Sequence, residues 1–189
     1  MDILTAIHTR RSVRAYTGEP VSAIDLHILL EAAMIAPSAG NARPWHFIVV
    51  DDPALLAAVP SINQYAGMVP SAGTAILVCG DLSLEKYPGY WVQDCAAALQ
   101  NLMLAATGIG LGTVWTGIYP IEERVSAFCK LFALPQNILP LGLVAVGKAK
   151  KPQERLSRFE AQKIHYNTYG TPWKNDFGEI HACPIKILS

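Results

Sequence analysis

The chain has 189 residues, and fifteen Lys plus Arg are matched by fifteen Asp plus Glu, a formal net charge of zero with histidines neutral. Nucleic acid is bound by an excess of cations that displaces counterions, so this balance argues against a nucleic-acid partner. Charged residues make up only 16% of the chain against a usual share of about 25%, and hydrophobic ones 51%, which predicts an oligomer with a large apolar interface.

The N-terminus, MDILTAIHTRRSVR, has an acid at position 2 and no apolar run of signal-peptide length, so a cytoplasmic protein is expected. Asp2 to His8 reads as a short amphipathic start, just before Arg10-Arg11-Ser12-Val13-Arg14. Ser22 with Asp25 resembles a capping box, and Leu26, Leu29, Leu30 and Ala33 recur at helical spacing; a helix is expected over about 22–36, stopped by Pro37. Ser38 to Pro44 is a polar loop, and Trp45 to Val50 a short strand ended by Asp-Asp-Pro. A second strand is expected over Thr74 to Cys79, and the polar stretch from Asp81 to Gly89 is a candidate lid. Residues 90–107 make the longest expected helix, with Cys95, Leu99, Leu102, Met103 and Ala106 on one face and Gly108 as its left-handed stop. Val114 to Ile118 reads as a strand, Ile121 to Phe132 as a helix, and Leu141 to Gly147 as a central strand. Strands apolar on both faces, alternating with helices, indicate an α+β or α/β sandwich covered on both sides.

Several chemistries find no support. The longest apolar run, Ile138 to Gly147, contains a proline and is about half a membrane helix, so no membrane span is expected. Four cysteines (Cys79, Cys95, Cys129, Cys183) lie far apart without histidines at ligand spacing, and the five histidines are scattered; free thiols and no metal site are expected. The GIGLG run from Gly108 to Gly112 follows a helix and precedes a strand, the reverse of the order a dinucleotide fingerprint needs. No G-x-S-x-G is present. The Arg10 to Arg14 cluster puts three guanidinium groups and a hydroxyl within five residues, a set that suits phosphate oxygens and equally describes a solvated basic patch.

In combination, RRSVRAYTGEPV, then APSAGNARPWHFIVV behind a helix, then NLMLAATGIGLGTVWTG, then LGLVAVGKAKKP with Arg158-Phe159 downstream, resemble the FMN-dependent nitroreductase family over about residues 1–169. Gly170 to Ser189 stands apart as a C-terminal extension. The resemblance implies an α+β, nitroreductase-like three-layer sandwich, with a central mixed, mostly antiparallel sheet flanked by helices and a domain-swapped C-terminal arm. It implies a homodimer with FMN at the interface. Arg10 and Ser12 would hold the phosphate end, with Arg11 in the cofactor-binding set and Arg14 at the pyrimidine edge, where a cation stabilises the reduced ring. Pro37, Ser38, Ala39 and Asn41 would come from the partner against the ring; Trp115, Thr116 and Gly117 match the segment whose backbone lies beside flavin N5. Arg158 matches the late phosphate-binding arginine, with Lys148 and Arg155 as helpers. The flavin does the chemistry, which accounts for the lack of an acid and base pair.

The implied activity is that of an FMN oxidoreductase: a hydride from NAD(P)H passes to a nitroaromatic or quinone-type small-molecule acceptor by a ping-pong cycle. The family often carries an asparagine and a lysine at the pyrimidine edge; Asn63 or Gln64 is the candidate for the first, and no lysine lies between Asp51 and Glu85. Two other readings are a flavin-binding or storage protein with little turnover, and a specialised dehalogenase or flavin-cleaving relative. For a dehalogenase, Glu85, Lys86, Tyr87 and Tyr90 offer the residue types of an amino-acid clamp, as does any solvated loop.

Overall fold

The structure, a computed structural model, describes residues 1–173. It contains α1 (Ile3–Thr9), α2 (Ala23–Met34), β1 (Trp45–Val50), α3 (Pro53–Ile62), α4 (Val69–Ala72), β2 (Thr74–Asp81), α5 (Trp91–Gly108), β3 (Gly112–Gly117), α6 (Glu122–Leu131) and β4 (Ile138–Gly147). Among the described residues no helix is long and apolar enough to cross a membrane.

Helix ends follow local chemistry. Ser22 caps α2, its Oγ accepting from Asp25 N at 3.0 Å and donating to Asp25 Oδ2 at 2.8 Å. The aspartate therefore binds the capping hydroxyl itself, whereas a capping-box glutamate would reach back to the cap's backbone. α5 runs through Gly108, and the left-handed residue is Gly110, at φ +87. Gly110 N donates to Thr107 O and Leu111 N to Ala106 O, the paired bonds of a Schellman end, so the stop lies two residues later than the sequence suggests. The sequence reading missed α3 and α4. Asp52 caps α3 by accepting from Ala54 N and Leu55 N, with Pro53 in its first turn, but both helices lack the polar face that marks an amphipathic pattern.

The strands pair in the order β1-β2-β4-β3, every neighbour antiparallel. Among the described residues the parallel component is one isolated bridge, between Ser12 and Thr113. Alternation along β2 sends Ala75, Leu77 and Cys79 into the core under α3, α4 and α6, and Ile76 and Val78 into the core under α2 and α5. Each of these side chains is fully buried, so truncating Leu77 to Ala would cost about 2–5 kcal/mol. On β4, Leu143 and Ala145 face the first core and Val144 and Val146 the second. Val78 pairs with Gly142 but Cys79 with Pro140, so Leu141 is an extra residue. That bulge reverses the alternation and turns Leu141 and Leu139 toward the α5 side. Helices, sheet and helices make the three expected layers.

Contacts divide the chain into a unit Met1–Glu154 and a second unit that begins at Arg155. In the second, residues 155–160 form no regular element and all are exposed. A short 3-10 turn, Ala161–Lys163, and a bridge between His165 and Pro172 follow, with the Phe159 and Trp173 rings 6.1 Å apart. The 169/170 boundary falls inside this unit. Cys183 and most of the C-terminal extension lie outside the described residues.

Candidate functional site

The Arg10 to Arg14 segment runs beside β3, held by the Ser12–Thr113 bridge and by Val13 N donating to Thr113 O at 2.9 Å. Val13 points inward, so close to Gly112 that a Cβ there would strike its methyls. Tyr16, fully buried, donates its hydroxyl to Val13 O at 2.7 Å and pins the segment from below. Burial raises the Tyr16 pKa, so the phenol stays protonated as that donor. The inward Val13 leaves its neighbours Ser12 and Arg14 exposed. Arg11 does not line the cleft described next; its Nη1 donates to Arg10 O at 2.7 Å.

Arg10, Ser12, Gln100, Met103, Trp115 and Gly117 line an open cleft of about 350 Å³ beside the sheet edge. The sequence reading had assigned four of these to one site. Gln100 and Met103 it did not: they stand three residues apart on α5, and Met103 was read as a packing residue. In β3, Trp115 and Gly117 are exposed while Thr116 between them is buried, its hydroxyl donating to Leu143 O at 3.0 Å. The Thr116 side chain is thus structural, and only its backbone belongs to this wall. A Cβ on Gly142 would collide with Trp115 Nε1, so that glycine makes room for the indole. A Cβ on Gly117 would meet nothing within 4 Å. Arg14 lies outside the lining, exposed, with Nη1 3.5 Å from Ser12 O.

The Pro37 to Asn41 loop is a separate feature of the fold and contributes no residue to this cleft. Gly40 and Asn41 take φ of +57 and +54, conformations that glycine and asparagine tolerate best. Asp94, buried on α5, accepts from Ala39 N at 2.9 Å; Ser38 Oγ accepts from Arg43 N at 3.0 Å; Lys86 Nζ donates to Gly40 O at 2.6 Å.

With this geometry in hand, comparisons with known proteins place the chain. The model of the family described as "Nitroreductase family" matches residues 7–77 and 65–148. The chain belongs to the nitroreductase family. A Methanothermobacter thermautotrophicus protein, provisionally named NADH dehydrogenase/NAD(P)H nitroreductase, is 47% identical over 87% of this chain and 86% of its own. A crystal structure of a protein of the same provisional name from Bacteroides thetaiotaomicron is 41% identical, with a TM-score of 0.84 over 88% of this chain and 98% of that one. A provisionally named nitroreductase from a Desulfovibrio desulfuricans subspecies, crystallised in complex with FMN, is 31% identical, with a TM-score of 0.77 over 89% of this chain and 98% of that one.

Other candidates within this nitroreductase-family fold have structural roles. Asn63, 1% exposed, donates to Gly117 O at 3.3 Å and accepts from Tyr65 N at 3.1 Å, so its amide is committed inside the protein. Gln64 lines a second cavity of about 490 Å³ with Arg124 and Glu123. Lys148 pairs with Glu19 at 3.2 Å on the surface. Glu85 accepts from Trp91 N at 2.9 Å and caps α5, while Lys86 braces Gly40, so two of the four proposed clamp residues hold backbone. Tyr87 and Tyr90 pack edge to face, centroids 5.9 Å apart. Burial pushes the Cys79 and Cys95 thiols up to about 12, and Cys95 Sγ donates to Cys79 O, which removes both as nucleophiles. Among the described residues no group of His, Cys, Asp and Glu could hold a metal. Arg155 and Arg158 lie in the second unit, both exposed.

Proposed function

We propose that this protein is an FMN-dependent NAD(P)H oxidoreductase that holds FMN in the Arg10–Gly117 cleft, acts on nitroaromatic or quinone-type acceptors, and works as a homodimer. One observation carries the reading. The cleft has a guanidinium and a hydroxyl, Arg10 and Ser12, with no partner among the described residues, and a glycine whose missing side chain leaves open space. A terminal phosphate and a flat ring require those two things.

The chemistry that bound FMN supplies is hydride uptake from NAD(P)H and its return to the acceptor in one pocket used twice. Arg10 and Ser12 would bind the phosphate and Gln100 would offer an amide beside them; Arg158 is the arginine that the family resemblance adds to the phosphate-binding set. Gly117 lets the ring approach the β3 backbone, while Trp115 and Met103 form an apolar wall that limits water. Arg14, exposed beside the lining, would supply positive charge at the pyrimidine edge. None of the lining side chains is a carboxylate or a histidine, so no protein acid or base is built into the cleft.

The second chain closes the open side. Ile3, Leu4 and Ile7 of α1, Ile24 and Met34 of α2 and Ile35 just after it are exposed apolar side chains that a partner chain would cover. The clamped loop would then set Pro37, Ser38, Ala39 and Asn41 against the partner's ring. Purified protein is expected to be yellow, with one FMN per chain, dimeric by light scattering at micromolar concentration, and to oxidise NAD(P)H when a nitroaromatic or quinone is added. Colourless protein that fails to take up added FMN refutes the reading, and bound FMN without turnover points to a storage role. Arg158→Ala should weaken FMN binding; if Arg155→Ala does so instead, the arm is misregistered.

A further inference from the structure

β3 is an edge strand, and Gly117 is its last residue. Glycine has the widest backbone freedom, and nothing packs where its Cβ would be, so this part of the cleft wall needs another restraint. Its carbonyl receives two side-chain donors: Asn63 Nδ2 at 3.3 Å and Arg124 Nη1 at 3.2 Å. A carbonyl oxygen has two lone pairs, and both are used. Asn63 is the buried donor, fixed by Tyr65 N. Arg124, on the first turn of α6, is partly exposed, with its guanidinium 5.5 Å from the centroid of the Tyr65 ring. Glu122 and Glu123 share that turn, yet no carboxylate among the described residues pairs with Arg124. The cation is held by the ring and the carbonyl.

We infer that Arg124 is a positioning residue for the reaction: seated on Tyr65, it holds the Gly117 carbonyl together with Asn63 and so fixes the backbone wall against which the flavin lies. This rests on the reading that FMN occupies the cleft. Arg124 lines the neighbouring cavity rather than the cleft, and it acts only through Gly117.

The test compares Arg124→Ala and Arg124→Lys with the parent protein. Asn63 remains on the carbonyl, so both variants should fold. In carbonyl-labelled protein without FMN, the Gly117 carbon resonance should move in Arg124→Ala and return part of the way in Arg124→Lys. With FMN bound, Arg124→Ala should shift the visible band and the midpoint potential of the flavin. Reduction by NAD(P)H should slow roughly 10- to 100-fold, as expected for a small misplacement of reacting groups, with the acceptor KM unchanged. An unmoved Gly117 resonance overturns the contact and the inference. A moved resonance with unchanged flavin band and potential overturns the positioning role. Parent protein that takes up no FMN overturns the FMN reading and with it the role toward flavin, and is distinguished from the other failures because those occur with the parent protein yellow.

Discussion

Two segments marked by sequence differ in how their polar groups are used. In the Arg10–Ser12 wall the side chains of Arg10, Ser12 and Gln100 have no partner among the described residues. In the Ser38–Asn41 loop the backbone is held by neighbouring groups: Asp94 holds Ala39 N, Ser38 holds Arg43 N, and Lys86 holds Gly40 O. Groups left open are available to a ligand, whereas groups closed on one another fix a shape. The first segment is therefore built to bind, and the second to present a rigid surface.

Substitutions should separate the two. The largest effect is expected from Arg10→Ala, which should weaken FMN binding by about 1.5–3 kcal/mol, or roughly 10- to 150-fold, by titration followed as flavin fluorescence quenching. Its thermal stability should stay within about 0.5 kcal/mol of the parent. Gly117→Val should also lose FMN, because the new side chain enters the cleft without meeting protein, and circular dichroism should show an unchanged fold. A variant that still binds FMN normally would remove Gly117 from the ring's path.

Asp94→Ala should behave in the opposite way. It leaves a part-buried N–H without its acceptor and should cost about 1–3 kcal/mol in urea unfolding, while Asp94→Asn, which keeps an oxygen there, should cost less. If Asp94→Ala instead leaves stability intact, the contrast between the segments fails. Arg14→Gln tests a smaller electronic effect: the FMN potential should fall by tens of millivolts, where about 30 mV is 1.4 kcal/mol for a two-electron couple, with affinity little changed. Lost affinity at constant potential would make Arg14 a phosphate ligand.

The smallest effect is expected at Asp81. Burial opposes ionisation of this carboxylate, but hydrogen bonds from Ser83 and Asn137 outweigh it and hold the pKa below the usual range. A depressed folded pKa means that stability is present above about pH 4 and is lost as pH falls through the folded value. Unfolding midpoints of Asp81→Asn should therefore fall less steeply below pH 4 than those of the parent, by about 1 kcal/mol at most.

How legible the molecule was depended on the kind of signal. β1 and β2 were found because each is a short apolar run bounded by turn residues, and α2 because Ser22 and the leucine spacing agree. α3 and α4 were missed because alanine, proline and valine without charged residues carry no face. At the site, Arg10, Ser12, Trp115 and Gly117 were named through the family resemblance, and the structure brings them into one cleft. Arg11 is one of the three arginines of the cluster, but it shares its side of the chain with Val13, which packs inward against Gly112, and it lies outside the lining. Gln100 could have been found as half of the Gln100-Asn101 pair that interrupts the apolar run of α5. Asn63 was named as a candidate for the pyrimidine edge and Arg124 not at all; the role of each toward Gly117 arises only through tertiary folding.

The extra residue at Leu141 has a consequence for how this chain can change. It is a spare residue: Gly142 opposite Val78 and Pro140 opposite Cys79 would make a regular ladder without it, and the bulge lets β4 carry it while the pairs on either side keep their layers. Removing Leu141 would leave Ile138, Leu139 and Pro140 opposite Asp81, Gly80 and Cys79, and so on their present faces of the sheet. What an empty position would lose is local: the Leu141 side chain in the core under α2 and α5, and a carbonyl that accepts from both Ile118 N and Tyr119 N.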